Sequence, residues 1–167
     1  TILLLGGRGL DPALPGGADK TPLKEGQSVM VDLGGNFNGY MGDMSVCSLS
    51  ANCRKKHIPL TKFVWISRKR SLTISQTPAI PCEMLYNTAI EMVTQAGFAD
   101  KFMGTGQQAK FIGHGIGLEI NEAPVLAPRI KQELEPGMVF ALEPKIVLPG
   151  VGPVGIENSW VVTNEGV

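Results

Sequence analysis

The clearest periodic pattern in the chain lies between residues 81 and 97, where it predicts one helix. Pro81 suits the first turn of a helix, and Gly97 suits its C-terminal end. We therefore predict a helix from Cys82 to Gly97 that packs an apolar stripe on a core. The residues of this stripe recur at helical spacing and are Met84, Leu85, Ala89, Met92 and Val93.

Four acidic residues each lie in a short apolar stretch close to glycine or proline. These residues are Asp32, Asp43, Glu143 and Glu157. The segment 36–39, Asn-Phe-Asn-Gly, separates the first two stretches and is rich in turn formers. It predicts a hairpin that brings Asp32 and Asp43 to one place. The same layout recurs near the C-terminus around Glu143 and Glu157.

An unpaired carboxylate is costly to bury, so acidic residues in apolar surroundings favour a nearby cation. His114 lies in the glycine-rich segment 113–117 and adds an imidazole in a loop with room for a ligand. Alone, each acidic residue is more simply a turn residue, and the histidine a core residue. Together the five predict a metal site. Oxygen ligands with one imidazole suit Mn²⁺, Co²⁺, Fe²⁺ or Zn²⁺, and two such ions can hold a water and a carbonyl together.

Four segments carry a resemblance to a known family, and they are VDLGGNFNGYMGDMS, FIGHGIGLEINEAPVL, LEPGMVFALEP and VGIENSWVVT. They resemble the M24 metallopeptidases, the group of Xaa-Pro aminopeptidases, prolidases and methionine aminopeptidases with the pita-bread fold. The likeness covers nearly the whole chain except its middle. It implies an α+β fold, with a curved, mostly antiparallel sheet, helices on its outer face and metals on its concave side.

The resemblance also implies a role for each of the five residues around two divalent metal ions. Asp32 would bind one ion, and Asp43 and Glu157 would bridge both. His114 and Glu143 would hold the other ion. Glu143 would in addition pass a proton during the reaction, so the resemblance makes Glu143 and His114 the expected catalytic residues.

Three positions depart from the pattern of the family's peptidases. Asn121 stands where they usually carry a histidine seven residues after the metal histidine. Gly16-Gly17 follows Leu14-Pro15 where a histidine is often found, and Gly155 replaces an arginine two residues before the last glutamate. Because these groups position the substrate, we expect the metal chemistry to persist while the peptide specificity stays open. Asn121 can still donate a hydrogen bond, so we predict that it binds substrate.

The first functional hypothesis is a dinuclear metal-dependent hydrolase, an aminopeptidase or dipeptidase of the Xaa-Pro type. Its substrate would be a dipeptide or the N-terminus of a peptide. Two alternatives stay open, namely a hydrolase for another small substrate with a C–N bond and a catalytically silent binding module on the same fold. Family relatives are often dimers, so the resemblance also leaves a homodimer open.

Residues 46–75 break the pattern, because they contain seven basic residues, no acidic residue and no clean period. A basic run can indicate a nucleic-acid patch, but a displaced reading frame explains this one better. In that frame the codons of Asn52-Cys53 force Leu and those of Trp65-Ile66 force Asp. Permitted codons then close the preceding strand with Arg and open an amphipathic helix. We predict that residues 46–75 are out of frame and that 1–167 is a fragment of one catalytic domain, truncated at its N-terminus.

Composition bounds the partners of the protein. The 167 residues suffice for one domain with a core. Without the seven basic residues of 46–75, eight basic residues face fifteen acidic ones, a net charge of −7 that argues against nucleic acid. The apolar opening 2–5 is too short for a membrane span, and three cysteines make no disulfide framework. We expect a cytoplasmic protein with no membrane partner.

Overall fold

The structure is a computed structural model that describes residues 2–5, 20, 22, 24–49, 80–165 and 167. This part of the chain forms ten strands, one helix and a short 3₁₀ turn at Ala99–Lys101. The elements in chain order are β1 (Ile2–Leu5), β2 (Ser28–Phe37), β3 (Tyr40–Leu49), β4 (Ile80–Pro81), α1 (Cys82–Gln95), β5 (Gly113–Gly115), β6 (Glu122–Val125), β7 (Glu133–Leu134), β8 (Val139–Leu142), β9 (Lys145–Leu148) and β10 (Gly152–Val161).

Eight of the described strands form one sheet, in the order β1-β2-β3-β10-β8-β5-β6, with β9 also paired to β10. Every strand pair in this sheet is antiparallel. Strands β4 and β7 form a second, two-stranded sheet. The mostly antiparallel α+β architecture expected from the sequence is therefore confirmed. The long strand β10 joins the two halves of the sheet, since it pairs with β3, β8 and β9.

The predicted hairpin is present and is closed by the shortest kind of turn. Phe37 at the end of β2 pairs with Tyr40 at the start of β3. Asn38 and Gly39 between them both have positive φ, 52° and 90°. Two consecutive positive φ values match the strand twist of a two-residue hairpin, and Asn-Gly adopts them at low cost. The local sequence thus fixes the register that places Asp32 and Asp43.

The predicted helix begins at Cys82, as expected, and ends at Gln95. Gly97 follows with a φ of +75°, which closes the helix in the conformation that favours glycine. The buried side chains are Cys82, Leu85, Ala89 and Val93. Met84 of the predicted stripe is exposed instead, because the buried face follows the four-residue spacing from Leu85 to Val93.

The core lies on one face of the sheet and leaves the opposite face for polar groups. Phe140, Leu142 and Ile146 are buried in one cluster with Leu85 and Val93 of α1. Side chains alternate between the two faces along a strand, so residues next to these apolar ones point the other way. The segment 139–148 therefore separates the helix-packed core from the face that carries the acidic residues.

Some expectations fall on parts of the chain that the structure does not describe. Residues 46–49 continue β3 as regular strand, whereas 50–75 lie outside the described residues, as do Leu14-Pro15 and Gly16-Gly17. The out-of-frame hypothesis and the domain fragment therefore stay predictions. Of the helices in the described part, none has the length and apolar character that a membrane span requires.

Candidate metal centre

The β2–β3 hairpin places two carboxylates on one face of the sheet. Asp32 pairs with Ser45, and Asp43 pairs with Gly34 two residues further along β2. Residues opposite one another in an antiparallel pair share a face, and so do residues two apart on a strand. Asp32, Asp43 and Ser45 therefore lie on the same face, as the hairpin pattern predicted.

Strand β10 extends this polar face to a third strand. Glu157 pairs with Ser45 on β3, which itself pairs with Asp32 on β2. These three residues form one row across three strands. Ser159 lies next to Asp43 in the following row, where its hydroxyl donates to the Asp43 carbonyl at 2.8 Å and accepts from the Asp43 N–H at 3.2 Å. Glu157 and the hairpin carboxylates are thus held on one rigid surface.

Glu143 lies between β8 and β9, which pair with β10 in the same register. Leu142 of β8 pairs with Asn158, and Lys145 of β9 pairs with Gly155, so Glu143 lies opposite Glu157. Pro144 has no N–H to donate to a sheet, which explains the break between the two strands. The Glu143 N–H instead donates to the Ile112 carbonyl at 2.8 Å and ties the residue to the segment before His114.

His114 enters the same face from β5, where it pairs with Ala141 of β8. Its Nδ1 lies 3.0 Å from the Gly115 carbonyl oxygen. Because a carbonyl only accepts, Nδ1 carries the proton in this contact, and Nε2 is left with its lone pair. A backbone carbonyl that fixes the tautomer in this way is the usual partner of a metal-binding histidine.

Three of the five side chains meet at one point of this face. Asp43, His114 and Glu157 each offer a ligand atom within 4.8 Å of the others. The His114 Nε2 also lies 3.8 Å from Asp43 Oδ2 and 3.6 Å from Glu143 Oε1. Asp32 lies outside that tight group but on the same face, where its charge acts on Asp43. The structure therefore brings all five predicted residues to one surface, three of them at ligand distance.

Burial makes these carboxylates unfavourable as isolated charges. Glu157 is 2% exposed, and its burial, together with the nearby Glu143 charge, raises its pKa to about 8. Burial also raises the pKa of Asp43, and the charge of Asp32 adds to the effect. For Asp32 burial again is the main cause, and the pKa rises although Lys145 opposes it. Raised pKa values at several adjacent acids are typical of a site that needs an added cation.

Lys145 is a member of the site that the sequence did not single out. Its side chain is buried, and its Nζ donates to Glu143 Oε2 at 2.6 Å. Burial lowers the pKa of Lys145, but the charges of Glu143 and Glu157 outweigh burial and leave the pKa raised. The available signal was its spacing, since a residue two positions after Glu143 shares its face in a strand. Ser159 was missed for the same reason, two positions after Glu157.

The donors present fit a divalent metal ion. With its carboxylates ionised and Lys145 protonated, the site carries three negative charges, which carboxylate-rich surroundings tolerate only with cations. The Ser45 hydroxyl is buried between Asp32 and Glu157 and has no hydrogen-bond partner within the described part of the chain. An orphaned hydroxyl in a row of acids indicates room for a further polar group.

Asn121, the predicted substrate-binding residue, lies on the open side of the site. It lines a hollow together with Phe111, His114 and Val125. Its side chain is exposed, so its amide is free to meet a molecule that enters from solvent. The position is compatible with substrate binding, which stays a prediction.

Comparison with known proteins agrees with the fold and the site. The sequence profile described as Metallopeptidase family M24 matches residues 1–164. The chain is 30% identical to an Xaa-Pro dipeptidase of Pyrococcus furiosus, over 99% of this chain and 45% of that protein.

Solved structures agree with this result. A prolidase from Pyrococcus furiosus superimposes with a TM-score of 0.80 at 30% identity, over 93% of this chain and 44% of that one. An Xaa-Pro dipeptidase from Bacillus anthracis gives 0.75 at 32% identity, over 99% and 44%. The chain thus spans a little under half the length of these relatives. It belongs to metallopeptidase family M24.

Proposed function

We propose that the protein containing this chain is a metal-dependent peptidase that cleaves Xaa-Pro dipeptides or the N-terminal residue of Xaa-Pro peptides. The observation that carries the proposal is the meeting of Asp43, His114 and Glu157, from three different strands, within 4.8 Å. The relatives named Xaa-Pro dipeptidase and prolidase support the substrate class.

The proposed centre holds two divalent ions, with Mn²⁺, Co²⁺, Zn²⁺ and Fe²⁺ as candidates. Asp32 would help to hold one ion, His114 and Glu143 the other, and Asp43 and Glu157 would contribute to both. Charge supports two ions rather than one. Three net negative charges exceed what a single divalent ion neutralises, whereas two ions leave one positive charge for an electron-rich substrate.

The reaction is the addition of water to the peptide carbonyl, followed by cleavage of the C–N bond. Bound divalent ions supply a more acidic water and a polarised carbonyl. Glu143 takes the proton of the attacking water and gives it to the leaving amine, and its Oε1 faces the cluster for this task. The Gly115 carbonyl accepts from the His114 Nδ1 and so orients the ring with Nε2 toward the carboxylates. Asn121 donates a hydrogen bond to the bound substrate.

A second substrate class follows from the same site. Asn121 can donate a hydrogen bond but cannot transfer a proton as a histidine can. Gly155 also brings no charge to the substrate from its own position. If the protein is a hydrolase, a small non-peptide substrate with a C–N bond, such as an amidine, is therefore the alternative to a peptide. A screen of dipeptides against small amides and amidines separates the two.

The test of the proposed function is metal analysis and turnover of the full-length protein with a Glu143→Gln variant. We expect two equivalents of Mn²⁺ per chain and hydrolysis of an Xaa-Pro dipeptide. Glu143→Gln should lower kcat by about 100-fold or more, because it removes the proton carrier. Glu133→Gln, at an exposed glutamate on β7, is the matched control and should leave kcat unchanged.

Two outcomes would contradict the proposal. Bound metal without turnover of any peptide, amide or amidine would favour a catalytically silent binding module. Failure to bind any of the four metals would contradict the hypothesis of a metal-dependent hydrolase. We also propose a cytoplasmic location, from the cysteine count, and a homodimer, from the resemblance to the family. Cell fractionation tests the location, and gel filtration tests the oligomeric state.

A further inference from the structure

Two facing positions on β9 and β10 have room for only one side chain between them. Lys145 on β9 pairs directly with Gly155 on β10. A Cβ atom at position 155 would lie 2.7 Å from the Lys145 Cγ and 2.9 Å from the Pro144 carbonyl oxygen. Such distances require both the lysine side chain and the backbone at Pro144 to move. Gly155 therefore leaves room that the Lys145 side chain fills from the opposite strand.

This packing brings a buried ammonium group to the acidic face. Lys145 is 4% exposed, and its Nζ lies 2.6 Å from Glu143 Oε2. The charges of Glu157 and Asp32 also act on it. A lysine is almost never buried without such partners. Lys145 is thus a cation built into the site by the chain itself.

The ion pair divides the two oxygens of Glu143 between two neighbours. Oε2 binds Lys145, while Oε1 faces the His114 Nε2 at 3.6 Å. A short charge-assisted hydrogen bond of this kind fixes the carboxylate plane more firmly than a neutral contact does. Glu143 consequently presents one defined oxygen to the centre of the cluster.

We propose that Lys145 is a positioning residue that holds Glu143 by its Oε2. Gly155 on the facing strand β10 carries no charge, so Lys145 on β9 supplies the fixed positive charge at this place. This inference rests on the proposed function, because Glu143 is there the ligand and proton carrier. The positive charge that orients Glu143 then comes from the protein itself, and neither from the metal ions nor from the substrate.

A merely structural counter-ion and a positioning residue predict different results when Lys145 is replaced. Loss of a structural ion pair damages the site, so metal binding and turnover should fall together. Loss of a positioning cation removes a charge that repels metal ions, so the metal should bind more tightly. Turnover should nevertheless fall, because Glu143 is no longer aligned.

The experiment compares Lys145→Met, Lys145→Arg and the exchange Lys145→Gly with Gly155→Arg in the full-length protein. Lys131→Met, at an exposed lysine, is the matched control. Mn²⁺ affinity is measured by calorimetry, and kcat and KM with an Xaa-Pro dipeptide. We expect Lys145→Met to bind Mn²⁺ about tenfold more tightly, while kcat falls about 100-fold with little change in KM. Lys145→Arg and the exchange variant should each recover most of the lost kcat.

Three results would overturn the inference. These are an unchanged kcat in Lys145→Met, a parallel fall in kcat and Mn²⁺ affinity, and no recovery in either cation-restoring variant. If Lys145→Met does not fold, Lys145→Gln decides, because it keeps a polar side chain and removes only the charge. If wild type binds Mn²⁺ but cleaves nothing, the proposed function fails, and the direction of the Mn²⁺ affinity change alone decides the role of Lys145.

Discussion

At the scale of single residues, the most consequential property of the site is the cost of its own charge. Glu157 is buried next to Glu143, and its pKa rises from 4.5 to about 8. A carboxyl whose pKa is higher in the folded than in the unfolded protein binds more protons when folded. Its effect is therefore a loss of stability as the pH rises from about 4.5 to about 8. Asp32 and Asp43 have raised pKa values too and act in the same direction.

We accordingly predict that the metal-free protein loses stability with rising pH and that metal reverses the trend. Glu157 alone contributes a slope of up to about 1.4 kcal/mol per pH unit inside this range. Glu157→Gln mimics the protonated acid, so it should raise the melting temperature of EDTA-treated protein at pH 8 and change it little at pH 4.5. With saturating Mn²⁺ the same variant should melt below wild type. Equal melting curves of variant and wild type at both pH values would contradict the prediction.

The residues of the site differ in how far the sequence alone reveals them. The acidic residues can be recognised in the sequence because each lies in an apolar stretch, where an unpaired charge is unfavourable. Lys145 gives no such signal, since a lysine at the start of a strand is usually solvated. Only its pairing with Gly155, ten residues away on another strand, shows that it is buried. Side chains that owe their role to a cross-strand partner are visible only in the fold.

At the scale of elements, the site depends on β5 lying close against β8. Gly113 pairs with Leu142, and a Cβ on Gly113 would overlap the Ala141 carbonyl oxygen and lie 2.9 Å from the Leu126 Cδ1. Backbone atoms cannot yield as a flexible side chain can. Glycine at this position therefore allows the strand that carries His114 to approach the strand that leads to Glu143.

We predict that Gly113→Ala weakens metal binding without touching a ligand. The added methyl group should push β5 from β8 and cost about 1–3 kcal/mol of stability, as overpacking does. Because His114 moves with the strand, Mn²⁺ affinity should fall about tenfold or more. Gly35→Ala on β2 is the control, since no atom lies within 4 Å of its added Cβ. Calorimetric titration of both variants with Mn²⁺ tests this prediction. Wild-type Mn²⁺ affinity in Gly113→Ala would show that the site does not depend on the close approach of β5 to β8.

Elements with local signals were predictable, and the order in which they pair was not. The Asn38-Gly39 turn encodes its hairpin within four residues, and the helix from Cys82 shows its period in sequence. The insertion of β10 between β3 and β8 joins residues more than a hundred positions apart. No periodic pattern carries that information, because strand order depends on contacts between distant segments.

At the scale of the whole molecule, the face of the sheet opposite the carboxylates carries three exposed apolar side chains on the described strands β2 and β3. Val31 and Met44 point away from the carboxylates, because each is next to one of them in its strand, and they are 38% and 50% exposed. Val46 pairs with Val31 and is 54% exposed. In the family fold the outer face of the sheet carries helices. Exposed β-branched and methionine side chains in a row are the surface that an amphipathic helix covers.

We expect the displaced frame to supply a cover for these apolar side chains. It puts arginine at position 46, in place of an exposed apolar side chain of β3, and then a helix with an apolar stripe. We predict that resequencing of the source DNA finds a one- or two-base change near codon 45 and a compensating one between codons 75 and 80. A protein with the displaced-frame residues should melt several degrees higher than one with 46–75 as written, because the helix buries Val31 and Met44. An intact frame that encodes the written residues, or equal melting temperatures, would show that the basic stretch belongs to the protein.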